Sequence, residues 1–381
     1  MTNRPVLPVE GGIDPEAVGT LYRHLTAADS GRPVLLMVAP RADPGATLAR
    51  VSQSWDDVDV VIATSGSTTG RGHVVGLSHG ALTASAAATH ARFGGAGQWI
   101  TSLPIHHIAG FQVVRRSALA GVPPIIYDGD PHHLDREISR MRADMPRYLS
   151  VVPTQLLRIL ETDPRPLTRL DAVLVGGAAL PSSVNRRAHD QGVPLVASYG
   201  MTETSGGCVY DGVPLDGVRA TVDRDGRIRI AGPTLATRYM ETIDQPFVVE
   251  DGTRWLVTSD LAEWSGGRLT ISGRADDVII SGGVNVSPSV VEAELTRRLG
   301  GVWIVVGIPD QRWGSLVVAV TENDDPLGTI RRATAQLPTA YRPRAVVRMP
   351  IPHLASGKVD RRNAAARAAT HLAGGAGERR D

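Results

Sequence analysis

The chain of 381 residues sets 40 Lys and Arg against 39 Asp and Glu, a formal net charge of +1. That balance leaves no global electrostatic case for nucleic acid or an anionic membrane surface. One cysteine, Cys208, excludes an intrachain disulfide framework and suits a reducing cytoplasm, and no apolar run reaches the ~18 residues of a membrane span.

The N-terminal "MTNRPVLPVEGGIDPEA" has no apolar core of signal-peptide length, which completes the expectation of a soluble cytoplasmic protein. Five short apolar, β-branched runs then read as buried strands: "RPVLLMVA", "VDVVIAT", "VPPIIYD", "AVLVGG" and "VPLVASYG". Helix-length segments lie between them, including "GALTASAAATHARF", "LDREISRMRA" and "TQLLRILE". Such alternation predicts an α/β fold. From Pro214 the texture changes. "VRATVDRDGRIRIAG" reads as two alternating runs about an "RDG" turn, and "RWLVTSDLAEWSGGRLTISG" as a second hairpin, together a small β unit. After Arg274 the order is strand, helix ("SPSVVEAELTRRL"), two strands ("WIVVGIP", "SLVVAVTE"), helix and strand ("RAVVRM"), a separable α+β unit. The tail "AAARAATHLAGGAGERRD" is small and polar and is expected to fray.

The chemistry concentrates in loops. "ATSGSTTGRGH", residues 63–73, follows a strand and precedes another, "HVVGLS". Its Gly66-to-Gly70 spacing is one short of a Walker A loop and Arg71 replaces the lysine. The lack of a following helix excludes a Rossmann fingerprint. The hydroxyls of Thr64, Ser65, Ser67, Thr68 and Thr69 with the loop amides can form an anion-binding nest, the rival being a plain Gly/Ser turn. Further on come "VLVGGAALP", "SYGMTETSGG", "TSDLAEW", "GRADDVIISGGVN" and "HLASGKVDRR". In "SYGMTET", Tyr199 can stack on a base, Thr202 can bond a phosphate oxygen, and Glu203 can ligate Mg²⁺.

In order and spacing these motifs, from Val58 to Asp360, resemble the acyl-adenylate-forming superfamily of acyl- and aryl-CoA ligases and adenylation domains. "SLPIHHIAGFQVVRRSALAG", "SVVPTQLLRIL", "GGAALPSSV" and "SYGMTETSGGCVYDGVPLDGV" resemble more narrowly the o-succinylbenzoate–CoA ligases of menaquinone biosynthesis, in their short actinobacterial form with a reduced N-terminal subdomain. The resemblance implies a large N-terminal α/β domain over 1–273 with mixed sheets and the small β unit. It also implies a hinge at 274–276 and a smaller mobile α+β domain over 277–381. ATP, Mg²⁺ and coenzyme A are the implied cofactor and co-substrates, a small-molecule carboxylic acid the partner, and a homodimer is compatible.

The implied reaction has two halves. A carboxylate attacks the α-phosphorus of ATP and expels pyrophosphate; a thiol then attacks the acyl-adenylate and releases AMP. By resemblance, Thr64, Ser65, Gly66, Ser67, Thr68, Thr69, Gly70 and Arg71 cradle the β- and γ-phosphates, Thr202 touches the α-phosphate, and Glu203 binds Mg²⁺. Gly176, Gly177 and Ala178 sandwich adenine with Tyr199 and Gly200, Asp260 takes the ribose hydroxyls, and Arg274 assists. Lys358 bridges carboxylate and phosphate, Asp276 is the hinge, and Ser281, Gly282 and Gly283 approach the thiol route. His107 gates that route or lines the acyl site. Arg115 meets a second substrate carboxylate or is a helix-surface charge; Ser198 lines the acid pocket, and Thr154 and Gln155 line it too or serve as core capping. His106 beside His107 lacks the spacing of a metal site, and Cys208 reads as a small buried residue. The loop departs from the family form "G-x-P-K-G", with Arg71 and His73 as the available cations. Two rivals remain: a ligase for another acid or a carrier-protein thiol, and a non-catalytic nucleotide-binding relative.

Overall fold

A computed structural model describes residues 4–27, 32–64, 72–353 and 359–379. Among these, four sheets organise the chain. The first places Val6–Glu10, Val34–Val38 and Val60–Ala63 in parallel, then Val74–Leu77 and Arg238–Tyr239 antiparallel. The second has seven strands. Ile125–Ile126, Gln98–Thr101, Arg147–Val151, Ala172–Val175 and Leu195–Met201 run parallel, and Gly206–Tyr210 and Val213–Pro214 turn back at one edge.

Two helices lie where these layers meet. Residues 110–117 of the helix Ile108–Ala120 are buried without a break, as expected of a helix covered on every side. Its Phe111 and Val114 join the core of the first sheet, and its Val113 joins the core formed by Trp99, Tyr148 and Tyr210 of the second. The strand Val6–Glu10 and the helix Pro15–Thr26, whose Val18, Leu21 and Leu25 are buried, complete the first sheet's cover.

The third sheet is the small antiparallel unit expected from the sequence. Arg219–Val222 pairs Arg227–Ala231, and Thr253–Ser265 pairs Arg268–Arg274 across Gly266 and Gly267. The fourth sheet, with the helices Pro288–Leu299, Leu327–Ala333 and Arg361–Ala373, is built wholly from residues after the short turn Ala275–Asp277.

The expectation that the tail frays is overturned. Arg361–Ala373 is a full helix, capped by Asp360 through the Asn363 amide at 3.0 Å, with Ala364 and Ala368 fully buried. The strand Glu378–Arg379 then pairs Ala345–Arg348, and Glu378 meets Arg348 at 2.7 Å. Alanines four apart make one helical face that packs closely while adding little to a hydropathy reading.

Candidate active site

Four of the segments that carry the motifs leave the C-terminal ends of parallel strands of the second sheet. Ligands collect there in open α/β sheets, because successive loops and helix N-termini open a crevice. His107 follows Gln98–Thr101, Thr154 follows Arg147–Val151, Gly176, Gly177 and Ala178 follow Ala172–Val175, and Thr202 and Glu203 follow Leu195–Met201. His107 takes the N-cap position of Ile108–Ala120. Thr154 stands exposed on the first turn of Pro153–Thr162, while Gln155 accepts from the Val152 amide at 3.1 Å, so its role is capping. His106 Nδ1 accepts from the Gly12 amide at 3.1 Å, and burial lowers its pKa.

The turn of "SYGMTET" is held tightly. A Cβ on Gly200 would sit 2.1 Å from the Gly206 carbonyl, so only glycine lets the antiparallel return strand close here. The Thr204 hydroxyl bonds the Met201 amide and the Gly206 carbonyl, and Ser205 adopts the left-handed region at φ 54. Thr202 and Glu203 are thereby fixed nearly buried at the sheet end, 8% and 9% exposed. Glu203 Oε1 accepts from the Tyr239 hydroxyl at 2.7 Å, its one hydrogen bond among the described residues. No group of three or more His, Cys, Asp or Glu that could hold a metal occurs among the described residues. A lone carboxylate with an oxygen to spare fits Mg²⁺, which takes one or two protein carboxylates and the rest from phosphate and water.

Asp260, 8% exposed, lies opposite Arg274 in the strand pair, and Arg274 Nη1 donates to its Oδ1 at 3.0 Å. Its Oδ2 accepts from Tyr199 at 2.8 Å, and burial together with Asp260 pushes the Tyr199 phenol upward, so it stays a neutral donor. Each Asp260 oxygen keeps a lone pair for a further donor. The remaining Arg274 nitrogens form a fork on Asp276, at 2.9 and 2.7 Å, and this hydrogen-bonded pair holds Arg274 firmly charged. One guanidinium thus joins the carboxylate read as the ribose site to the carboxylate read as the hinge.

The structure corrects Arg115. It lies two helical turns, about 12 Å, beyond His107. Its nitrogens bond the Leu25 carbonyl, the Thr83 hydroxyl and His79, at the end of the Val60–Ala63/Val74–Leu77 hairpin remote from the phosphate loop. It ties helices together and is buried, so it is not the helix-surface charge of the alternative reading. The neighbouring Arg116 is the residue that sequence reasoning missed. It shares a helical stripe with Ile108 and Gln112, and that stripe faces Ser205 and Gly206. Arg116 is 2% exposed, its guanidinium lies 4.7 Å from the Trp99 ring centre, its Nε has no partner, and no ion pair reaches it among the described residues. Burial lowers its pKa, and the nearby Tyr210 opposes this. A Cβ on Gly207 would lie 2.3 Å from Ser198 Oγ and 2.7 Å from the Tyr210 ring, so Ser198 and Tyr210 meet at this glycine. Helical phase counted from Ile108 would have selected Arg116.

His90 borders the same region. Its Nε2 accepts from the Trp99 indole at 3.3 Å, and burial aided by Arg116 pushes its pKa down to about 4. An unfolded histidine titrates near ~6.5. Below that pH the unfolded chain binds a proton that the folded chain refuses. Stability from this group is therefore complete above about pH 6.5 and is lost as the pH falls toward 4, by about 3 kcal/mol at most. Urea midpoints between pH 7 and 4.5 should fall less steeply for His90→Gln than for the unsubstituted protein; equal slopes would remove His90 as the cause.

Cys208 is fully buried and its thiol is pushed up to about 12, which fits a packing role. Gly282 and Gly283, at φ +58 and +77, form the two-residue tip of the hairpin Ile279–Ser281/Val284–Val286, where both positions demand left-handed backbone. The Gly282 amide bonds the Trp313 carbonyl, and Arg344 and Arg312 lie 3.5 and 5.1 Å from the Trp313 ring centre. Ser65, Gly66, Ser67, Thr68, Thr69, Gly70, Arg71 and Lys358 lie outside the described residues. Their flanks are fixed: Thr64 exchanges hydrogen bonds with His73, and His353 bridges Val359.

With this geometry in hand, three kinds of comparison agree. The AMP-binding enzyme family matches residues 16–248. A probable 2-succinylbenzoate–CoA ligase of Mycobacterium tuberculosis (strain ATCC 25618 / H37Rv) is 40% identical over 360 residues, covering 90% of this chain and 92% of the relative. A 2-succinylbenzoate–CoA ligase of Salmonella typhimurium is 32% identical over 251 residues, 63% of this chain and 52% of the relative. Among solved structures, o-succinylbenzoate CoA synthetase (MenE) from Bacillus subtilis in complex with the acyl-adenylate OSB-AMP superposes with a TM-score of 0.77 at 22% identity, covering 95% and 88% of the two chains. An arginine-to-lysine variant of E. coli MenE with bound OSB-AMS gives 0.78 at 22% identity, covering 97% and 88%.

Proposed function

Because the chain belongs to the AMP-binding enzyme family, we propose that it joins 2-succinylbenzoate to coenzyme A, with ATP cleaved to AMP and pyrophosphate. The 40%-identical relative carries that name over nine-tenths of both chains, and this supports the activity. The observation that carries the choice of acid is Arg116. A succinylbenzoate has two carboxylates and only one is activated. The other needs a cation, and a buried guanidinium without a carboxylate partner supplies it.

In this reading the substrate carboxylate attacks the α-phosphorus, the bond to pyrophosphate breaks, and an acyl-adenylate forms. Both reactants are anionic, so the site must align them and neutralise charge. Thr202 holds the α-phosphate, Tyr199 and residues 176–178 flank adenine, and Asp260 accepts the ribose hydroxyls through its free lone pairs while Arg274 steadies it. Glu203 would hold Mg²⁺, which neutralises charge on the phosphates. The loop from Thr64 cradles the outer phosphates and Lys358 bridges the reacting groups. In the second half the thiol attacks the acyl carbonyl and AMP leaves. The unit after Asp276 then turns about that residue, so that Gly282 and Gly283 replace Lys358 near the carbonyl. Trp313 with Arg312 and Arg344, beside that hairpin tip, suits the phosphorylated nucleotide end of coenzyme A.

The test is ATP–pyrophosphate exchange across an acid panel, followed by mass-spectrometric detection of the thioester. Exchange should require 2-succinylbenzoate, fail with benzoate, and lead to its CoA thioester. Exchange driven as well by benzoate would sink the dicarboxylate reading, and exchange without a CoA thioester would point to another thiol acceptor.

A further inference from the structure

We propose that Tyr239 is a positioning residue that fastens the Glu203 carboxylate to the end of the phosphate loop, so that the metal-side ligand and the loop are set as one unit. The proposal rests on the nucleotide site described above and assigns a role to residues which that reading leaves unused.

Three segments far apart in sequence converge here. Tyr239 sits on the two-residue strand Arg238–Tyr239, opposite Val75 of the strand that leaves the loop. Its hydroxyl donates to Glu203 Oε1 at 2.7 Å. On the other side, the His73 ring lies flat on the Tyr239 ring, centroids 3.9 Å apart and planes 4° apart. His73 Nδ1 meets Glu241 Oε1 at 2.7 Å, and Glu241 Oε2 accepts the Val74 amide at 3.0 Å. Backbone bonds from Ala236 to the Glu203 carbonyl and from Met240 to the Val74 carbonyl close the assembly at 2.8 and 2.7 Å.

The chemistry follows from who is committed to whom. The Glu203 carboxylate has one hydrogen bond among the described residues, from Tyr239, which orients it and leaves its second oxygen to a cation. His73 gives Nδ1 to Glu241 and its face to Tyr239, which makes it an anchor for the loop's end. A buried carboxylate that loses its one donor gains rotational freedom, and metal affinity falls before nucleotide affinity does.

The experiment is calorimetric titration of ATP into the protein, with and without magnesium chloride, for the unsubstituted chain, Tyr239→Phe, His73→Ala and Glu241→Gln. Tyr239→Phe keeps the ring on His73 and should leave Mg²⁺-free ATP affinity unchanged. The gain on adding Mg²⁺ should shrink by about tenfold, the worth of one hydrogen bond to a charged group. His73→Ala should reduce the gain by a smaller factor, and Glu241→Gln, which can still accept the Val74 amide, least of all. Mg²⁺-free and Mg²⁺-loaded affinities falling together would mean general damage and overturn the proposal, as would a gain that does not move. If the unsubstituted protein adenylates no acid and yet Tyr239→Phe selectively loses the Mg²⁺ gain, the substrate assignment fails and this proposal stands. If 2-succinylbenzoate is adenylated and Tyr239→Phe shows no Mg²⁺ contrast, the substrate assignment stands and this proposal fails.

Discussion

Replacing Lys358 with alanine will lower acid-dependent ATP–pyrophosphate exchange by about 10²–10³-fold, the usual cost of removing a preorganised charge-stabilising group. Thioester formation from preformed acyl-adenylate will be nearly untouched. The asymmetry follows from charge. In the first half a carboxylate approaches a triphosphate, and a fixed cation between them offsets repulsion that grows as water is excluded. In the second half a thiol meets a carbonyl already activated by its AMP leaving group, and the demand for a cation at that point is much weaker. The segment that carries Lys358 is anchored at both ends. His353 bridges Val359, the Asp360 amide bonds the Pro352 carbonyl, and Arg361 grips Glu292 on the helix Pro288–Leu299. Equal losses in the two halves, measured by exchange and by single-turnover thioester formation, would remove Lys358 from the role given to it.

Arg116→Gln will raise the KM for 2-succinylbenzoate by on the order of 10²-fold, because breaking a buried charge pair costs about 2–5 kcal/mol. It should leave the affinity for ATP unchanged. Arg116→Lys keeps the charge without the planar fork and should fall between the two. The control is the neighbour. Arg115→Gln loses bonds to the Leu25 carbonyl and the Thr83 hydroxyl. It should cost about 1–3 kcal/mol of stability, read from urea unfolding, with KM unchanged in the surviving folded protein. A KM that follows Arg115 and ignores Arg116 would reverse the assignment.

These two arginines show how far sequence carries a site. Both stand in "VVRRSA", both are basic, and a motif places a cation somewhere in that pair. Which one lies on the side of Ser205 and Gly206 is a question of helical phase, and phase is fixed only when the helix is packed between two sheets. Arg115 falls on the side of the helix Pro15–Thr26 and Arg116 on the side of Trp99 and Tyr210. The tail misleads for a related reason. Ala364 and Ala368 carry almost no hydropathy signal, and only their burial in the core of the fourth sheet docks one face of Arg361–Ala373.

What the sequence by itself determined is the local chemistry. Alternation of apolar runs with helical segments set the α/β class, paired glycines set the hairpin tip at Gly266–Gly267, and the ordered loop motifs marked the family. Propensity and turn geometry act over a few residues and are legible in one dimension. What only the tertiary structure decided is which groups are spent on one another. Arg274 is shared between Asp260 and Asp276, Tyr239 joins Glu203 to His73, and Arg116 has no carboxylate partner among the described residues. Such commitments link residues as far apart as His73 and Glu241, 168 positions along the chain. They depend on burial, which raises the cost of every unpaired charge and so selects the partners.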